Sequence, residues 1–560
     1  MKSVCQFARR VGSLIAISVS LAQSFAQNVP LDFSTAGYAS NERPIPNAPV
    51  RVIVSPAKGD STKRIQAAID YVSGLPPSID GLRGTVLLLA GRHEVQGSLR
   101  ITNSGVVLRG QGVSETTLVA AGQDRRTLIR IAGQTIADSA TNRQIAITDK
   151  FVPVGATQIQ VTDTSGISPK SFIRITRPST TNWIAQLRAN EMGGGVGGGW
   201  KPGSRDITWD RVAKSVEGNR ITIDAPLTTA LEEPGAYISP ISPVGPISQI
   251  GVENLTLEST FAITNSKDEN HSWCAITMEN ATDSWVRQVT FKHFAGPAVA
   301  LFETTQRITV QDCLSLAPVS EIGGYRRHTF FTMGQQTLFL RCYAEHGRHD
   351  FSVGHCAAGP NAFVQCEARE ALDDSGPIES WASGVLYDNV NIDGNALTLG
   401  YRAGNNAGIG WAAANSVLWN CSASVIRCWN PPGATNWSFG SWASFEGDGV
   451  WKSSNDFMKP DSLFAEQLKA RLGSDAASRL QLMPRPHEES SNPPVDKAQE
   501  LAAAAHQPPP QLKDYILAAG QRDPIPSEPS NAKRVEEIIP DSSRRKEAQR
   551  SNQQLTITNG

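Results

Sequence analysis

A hydrophobic stretch ending in cysteine recurs four times in the middle of this chain, at Val310-Gln311-Asp312-Cys313, Leu340-Arg341-Cys342, Val364-Gln365-Cys366 and Trp419-Asn420-Cys421. A unit that returns every roughly 20 to 35 residues cannot bury its apolar face alone and stacks on its neighbours; that length suits three short strands plus turns per coil. Beyond the first three cysteines, at an equal offset of eight residues, come Glu321, Asp350 and Asp374. In stacked coils, one strand spacing of about 4.8 Å apart, these acids would form a ladder. Adjacent like charges need a cation, an arginine or a proton to offset them, and hard carboxylate oxygens suit Ca²⁺. Glu321, Asp350 and Asp374 are therefore the expected metal set, with Ca²⁺ as the expected cofactor.

The formal net charge of -1 over 560 residues gives no global field for nucleic acid or an anionic membrane. Lys2, Arg9 and Arg10 precede an apolar run from Val11 to Leu21 and a small-x-small site at Ser24-Phe25-Ala26, the pattern of a secretory signal cleaved near Ala26. The run is too short to span a membrane, and no later stretch is long enough. The expectation is an exported protein, periplasmic or extracellular. Seven cysteines remain after cleavage, and four hold the same place in similar coils, which reads as a buried thiol stack rather than a disulfide framework.

Six segments follow from composition and rhythm: a signal over 1–26, a cap and first coils over 27–133, a β-rich insertion over 134–247, main coils over 248–455, a helical cap over 456–482 and a Pro-rich, mostly disordered tail over 483–560. Ile65, Ile69 and Val72 at helical spacing behind Asp60-Ser61-Thr62 predict an amphipathic helix that closes one end of the stack. Leu463, Phe464, Leu468 and Leu472, with Asp461 as N-cap, predict another at the far end. In the insertion, Trp183, Trp200 and Trp209 flank a glycine-rich loop at Gly193–Gly199, where they either overhang a groove or pack among themselves.

The first coils carry Gly59-Asp60-Ser61-Thr62 with Ile65-Gln66-Ala67-Ala68-Ile69-Asp70, then Gly84-Thr85-Val86 with Gly91, then Gly105-Val106-Val107-Leu108-Arg109-Gly110-Gln111-Gly112 followed by Thr117-Leu118. Over these 80 or so residues the chain resembles the pectate-lyase superfamily, which implies an all-β, right-handed parallel β-helix with an N-terminal capping helix and, here, a β-rich insertion. The superfamily includes polysaccharide lyases, hydrolases and phage tailspikes, so the resemblance specifies fold and not reaction. The chain has neither Trp-x-Asp-His nor Arg-x-Pro-x-x-Arg, and Gly347-Arg348-His349-Asp350 precedes Asp373-Asp374, the reverse of the polygalacturonase order.

Around the acid row lie Arg326, Arg327 and His328, then Arg348 and His349, then Asp373, Glu379 and Trp381, then Tyr401, Arg402 and Trp411. Cleavage of a uronate-containing polysaccharide by β-elimination needs a carboxylate neutraliser and a base for the C5 proton. Arg326, Arg327 or the Ca²⁺ set would neutralise; His349 or Tyr401 would take the proton. Arg348, Asp373 and Arg402 would hold substrate, with Trp381 and Trp411 as sugar platforms at the edge of a groove between Glu321 and Trp442. Two other readings stand beside this one: a glycoside hydrolase using Asp350, Asp373 or Asp374, and a glycan-binding surface protein without catalysis.

Overall fold

The computed structural model describes residues 29–135, 143–191, 199–232, 235–242, 245–402, 409–484, 494–504, 511–528 and 531–539. The signal segment 1–26, most of the glycine-rich loop, the Gln507–Pro510 stretch and the terminal Leu555–Thr558 lie outside these residues. No helix among them is long and apolar enough to cross a membrane.

The chain winds as a right-handed parallel β-helix. Its register is one continuous row: Val50 pairs with Thr85, then Val107, Gly251, Trp285, Thr309, Leu338, Ala362, Leu386, Val417, Trp437 and Val450 in turn. A second parallel sheet, built from Leu99–Ile101, Thr127–Ala132, Cys274–Glu279, Val299–Leu301, Phe330–Thr332, Phe351–Val353 and Gly376–Pro377, forms another face of the same coils. The expected strands at Val106–Arg109 and Arg220–Ile223 hold to the residue. The helix Thr62–Ser73 buries Ile65, Ala68, Ile69 and Val72 against the first coils.

Each main coil turns a corner through one residue in the left-handed region: Asn254, Gln288, Asp312, Arg341, Gln365, Asn389 and Asn420, with φ between 50° and 61°. The next residue points inward, so Leu255, Val289, Cys313, Cys342, Cys366, Val390 and Cys421 make one buried column. Cys313 lies directly opposite Cys342, and all seven described cysteines are free. In the coil after Cys366 the column is held by Val390, since Asn391 pairs with both Glu367 and Ser422; Asp388 and Asn389 are not its counterparts. Beside the column, Phe339, Phe363 and Tyr387 stack at centroid spacings of 4.7 and 5.0 Å.

The insertion is a six-stranded antiparallel sheet. Trp183, Trp200 and Trp209 pack inside it, and Trp381 of the coils joins them, edge-on to Trp183 at 4.8 Å and 1% exposed. The insertion therefore covers the face that carries Trp381, which removes that indole from any sugar platform.

The C-terminal helix Leu463–Leu472 is capped by Ser462, whose hydroxyl accepts from the Ala465 N–H, rather than by Asp461. Beyond it, the chain around Met483 and the segment 511–528 run along the corner residues as a strap, where a mostly disordered tail was expected. Gln365 exchanges hydrogen bonds with the Met483 backbone at 2.7 and 2.8 Å; Arg522 binds Asp312 at 2.7 Å; Gln288 donates to the Asp523 carbonyl at 2.7 Å. At the far end Lys533–Arg534 pairs in parallel with Val52–Ile53 and extends the sheet.

Two expected outcomes follow from this packing. Thiol titration of unfolded, unreduced protein finds these seven cysteines free. Asp312, fully buried, is gripped by Arg341 through two bonds of 2.7 Å, so Asp312→Ala strands a buried guanidinium and lowers stability by about 3–5 kcal/mol in chemical denaturation.

Candidate functional site

The seven-stranded sheet carries a cleft of about 600 Å³ on its outer side. Alternation along each short strand places Phe330 and Phe351 inside the coils and Ala300, Phe331 and Ile378 on the opposite face, where they cluster with Phe302 and Met333; Ile378 and Met333 of this cluster line the cleft as its apolar floor. Polar residues enter from both ends of the strands. Just before successive strands come Tyr325 and His328, then Arg348 and His349, then Asp373 and Asp374; just after them come Glu303, His355 and Glu379. Two walls thus face each other across an apolar strip, and Arg402 and Arg205 complete the lining.

His349 is the centre of the first wall. Its Nδ1 lies 2.5 Å from the Asp374 carbonyl and 3.2 Å from the Asp374 carboxylate. Both partners are acceptors, so Nδ1 carries a proton, and Nε2 lies 3.6 Å from the Asp373 carboxylate. Arg402 grips Asp374 through two bonds of 2.9 and 3.2 Å. Burial opposes ionisation of Asp374, but the His349 and Arg402 contacts overcome it and hold the carboxyl well below the usual carboxylate range. Arg348 pairs with Asp373 at 2.9 Å and donates to the Gly324 carbonyl at 2.6 Å. The chain reaches this arrangement through left-handed residues at His346 and His349, and a Cβ on Gly347 would collide with the Asp350 carboxylate.

Across the floor, the Tyr325 phenol donates to Glu379, which also accepts the His355 backbone N–H at 2.8 Å. Burial and this carboxylate push the Tyr325 pKa well up. Arg205 comes from the insertion; among the described residues it forms no ion pair, and its ring-like neighbour is Trp200, 5.5 Å away. Its charge reaches His355, whose protonated form is disfavoured first by burial and then by Arg205.

The expected metal set does not assemble. Glu321 is exposed and pairs with Lys267 at 3.1 Å, while Asp350 is fully buried with one oxygen accepting from Thr329 at 2.6 Å. Asp350 does not reach the cleft because residues 346–350 form a turn, in which strand alternation no longer assigns faces. Among the described residues the donor atoms that cluster are those of His349, Asp373 and Asp374, all within 4.8 Å of one another. Arg348 and Arg402 already neutralise both carboxylates, and the set offers far fewer oxygens than the 6–8 that Ca²⁺ takes, so the residues do not fit that ion.

Of the other expected residues, Arg348, His349, Asp373 and Arg402 meet in the cleft, and Asp374 joins them as a partner of His349 rather than as a metal ligand. Arg326 is tied to Glu269 beside Trp273, and Arg327 donates to the Ser320 carbonyl at 2.8 Å; neither lines the cleft. Tyr401 is exposed outside it, edge-on to Trp411 at 5.2 Å, and Trp411 is half-buried against the insertion core. Arg205, Glu303 and Tyr325 carry no local sequence signal; a neighbour of Arg326-Arg327-His328 was the one hint for Tyr325.

A family model described as a domain of unknown function, DUF6298, matches residues 449–560, which include the last strand of the ladder and the strap. No curated protein matches the chain. Among solved structures, the tailspike gp61 of Pseudomonas phage phi297 is similar at 12% identity and a TM-score of 0.39, over 70% of this chain and 65% of that one. The chain thus spans less than two thirds of that tailspike. PfbA, a surface adhesin of Streptococcus pneumoniae, is similar at 9% identity and a TM-score of 0.33, over 72% and 91%. The A-module of the mannuronan C-5 epimerase AlgE6 of Azotobacter vinelandii is similar at 11% identity and a TM-score of 0.27, over 71% and 86%.

The buried Asp350 sets a pH dependence of stability. Burial raises its pKa to about 6, with the Thr329 hydroxyl opposing. The folded carboxyl holds its proton more tightly than the unfolded one, so stability falls as pH rises from the unfolded value through about 6 and then levels off, a loss of up to about 3 kcal/mol. Asp350→Asn is expected to flatten that slope in thermal melts between pH 4 and pH 7.

Proposed function

We propose that the protein is an exported carbohydrate-active protein whose cleft cleaves a uronate-containing polysaccharide by β-elimination. The observation that carries this reading is the Arg402–Asp374–His349 chain, which fixes one tautomer of His349 and keeps Nε2 as a base at the cleft edge. In this reading His349 removes the C5 proton, and the Asp374 carboxylate stabilises the imidazolium that forms. Tyr325 leaves Glu379 to donate its proton to the departing glycosidic oxygen. Arg205, free of any protein ion pair among the described residues, neutralises the uronate carboxylate and so makes the C5 proton acidic. The apolar floor of Ile378 and Met333 takes the C–H face of the sugar.

Hydrolysis is favoured by one different observation: Asp373 and Glu379 are both half-buried and line the same cleft from opposite walls, as an acid and base pair would. Products separate the two. Incubation with a panel of uronic glycans is expected to give the ultraviolet absorbance of an unsaturated uronate; new reducing ends without that chromophore would favour hydrolysis, and binding without either product would favour a non-catalytic glycan-binding protein.

On the cleaved glycan, His349→Ala is expected to lower kcat by about 10²–10⁴-fold while leaving KM nearly unchanged. Arg205→Gln is expected to raise KM for the acidic glycan, while binding of a carboxyl-reduced glycan, which cannot undergo elimination, is spared. Steady-state kinetics on the acidic glycan and binding isotherms for both glycans check the pair.

A further inference from the structure

Of the fully buried histidines away from the cleft, His93 leaves one ring nitrogen unpaired and His271 leaves neither. His271, fully buried, has both ring nitrogens in contact with partners: the Ser259 hydroxyl at 2.9 Å, and the Asp268 and Val319 carbonyls at 3.1 and 3.0 Å. His328 is 2% exposed, lines the cleft, and has neither ring nitrogen in a hydrogen bond with any described protein group. The Gly324 carbonyl stands near the ring but outside hydrogen-bond geometry, and it also accepts from Arg348. Leaving two buried polar atoms unpaired destabilises the free protein, and such groups persist at sites where a ligand supplies the missing partners.

The surroundings of His328 say what covers it. The Tyr325 ring lies 5.2 Å away and the His349 ring 5.1 Å away, edge-on, with Phe331 at 6.0 Å. Of these, Tyr325 is 54% exposed and is held over the cleft by its bond to Glu379. It follows Gly323 and Gly324, both at positive φ, and a Cβ on Gly323 would meet nothing within 4 Å. The cap is therefore a single exposed ring that follows a glycine pair whose carbonyls accept from Arg326 and Arg348.

Resting on the lyase reading of this cleft, we infer that His328 is a sugar-contacting residue whose hydrogen-bond partners arrive with the substrate, Tyr325 being the ring that the sugar displaces. The chemistry of the group it binds follows from its charge. Burial, with the Arg348 guanidinium nearby, pushes the His328 pKa down to about 3, so the imidazole stays neutral and offers one donor and one acceptor. A sugar hydroxyl matches both roles, whereas a carboxylate would match the donor alone. His328 thus reads hydroxyls beside His349, and the displaced Tyr325 arrives at the glycosidic oxygen by the same movement that uncovers His328.

Three measurements on the full chain test this. Diethyl pyrocarbonate labelling with peptide mapping is expected to leave His328 protected in the wild type and to label it about tenfold faster in Tyr325→Ala; equal rates in the two proteins overturn the cap. Thermal melts of His328→Leu are expected to match or exceed the wild type, because an apolar side chain replaces unpaired polar atoms; a Tm lower by several degrees overturns the inference and makes His328 a packing residue. With polygalacturonate or alginate as substrate, His328→Leu is expected to raise KM by about tenfold, the worth of one good hydrogen bond, with the pH profile of kcat unchanged. His328→Asn, which keeps a donor and an acceptor, recovers part of that loss; an unchanged KM in His328→Leu overturns the contact. A wild type inert on both glycans counts against the lyase reading, and the labelling and melting arms then judge the inference without turnover.

Discussion

One residue per coil in the left-handed region, followed by one buried side chain, is the constraint from which the rest of the structure is built. The corner bends each coil at the same place, so coils of unequal length still come into register at the same inward position. Such a conformation costs an L-residue roughly 1–2 kcal/mol, less for Asn and Asp. Asn254, Asp312, Asn389 and Asn420 fit that preference. Arg341, Gln365 and Gln288 do not, and each has its side chain bonded to the returning C-terminal segment. The strap and the corners are therefore one device: the corners present a polar row, and the strap satisfies it.

Because the coils are pinned on the corner side, the opposite sheet can carry turns that no longer obey strand alternation. The segments before the Phe351–Val353 and Gly376–Pro377 strands use left-handed residues at His346, His349 and Glu370. Those turns bring side chains from different coils into hydrogen-bond contact, as His349 and Asp374 show. The insertion contributes in two ways, burying Trp381 beneath its own tryptophan core and placing Arg205 over the cleft.

This division explains what could be read from the sequence. The cysteine column was legible because inward positions demand a small or apolar residue at fixed intervals, and the capping helix because its apolar period is 3.6. The cleft was legible as a dense stretch of His, Arg and acids around Arg348, His349 and Asp373, but not as a geometry. Counting eight residues from each cysteine treated Glu321, Asp350 and Asp374 as one row; the turns sent Glu321 to solvent, Asp350 inward and Asp374 to His349. Trp381 and Arg205 were out of reach for a different reason: which face an insertion covers depends on packing between segments far apart in the chain.

On the proposed function, the two walls around the Ile378 and Met333 floor form one glycan site with His349 as its base. The most direct measurement is a crystal structure of His349→Ala with a uronic oligosaccharide that the wild type cleaves. Sugar rings are expected along the floor between the His349 and Glu379 walls, with a carboxylate against Arg205 and the scissile C5 facing position 349. An oligosaccharide bound elsewhere on the coils, with Tyr325 still on Glu379 and the cleft unchanged, would contradict it.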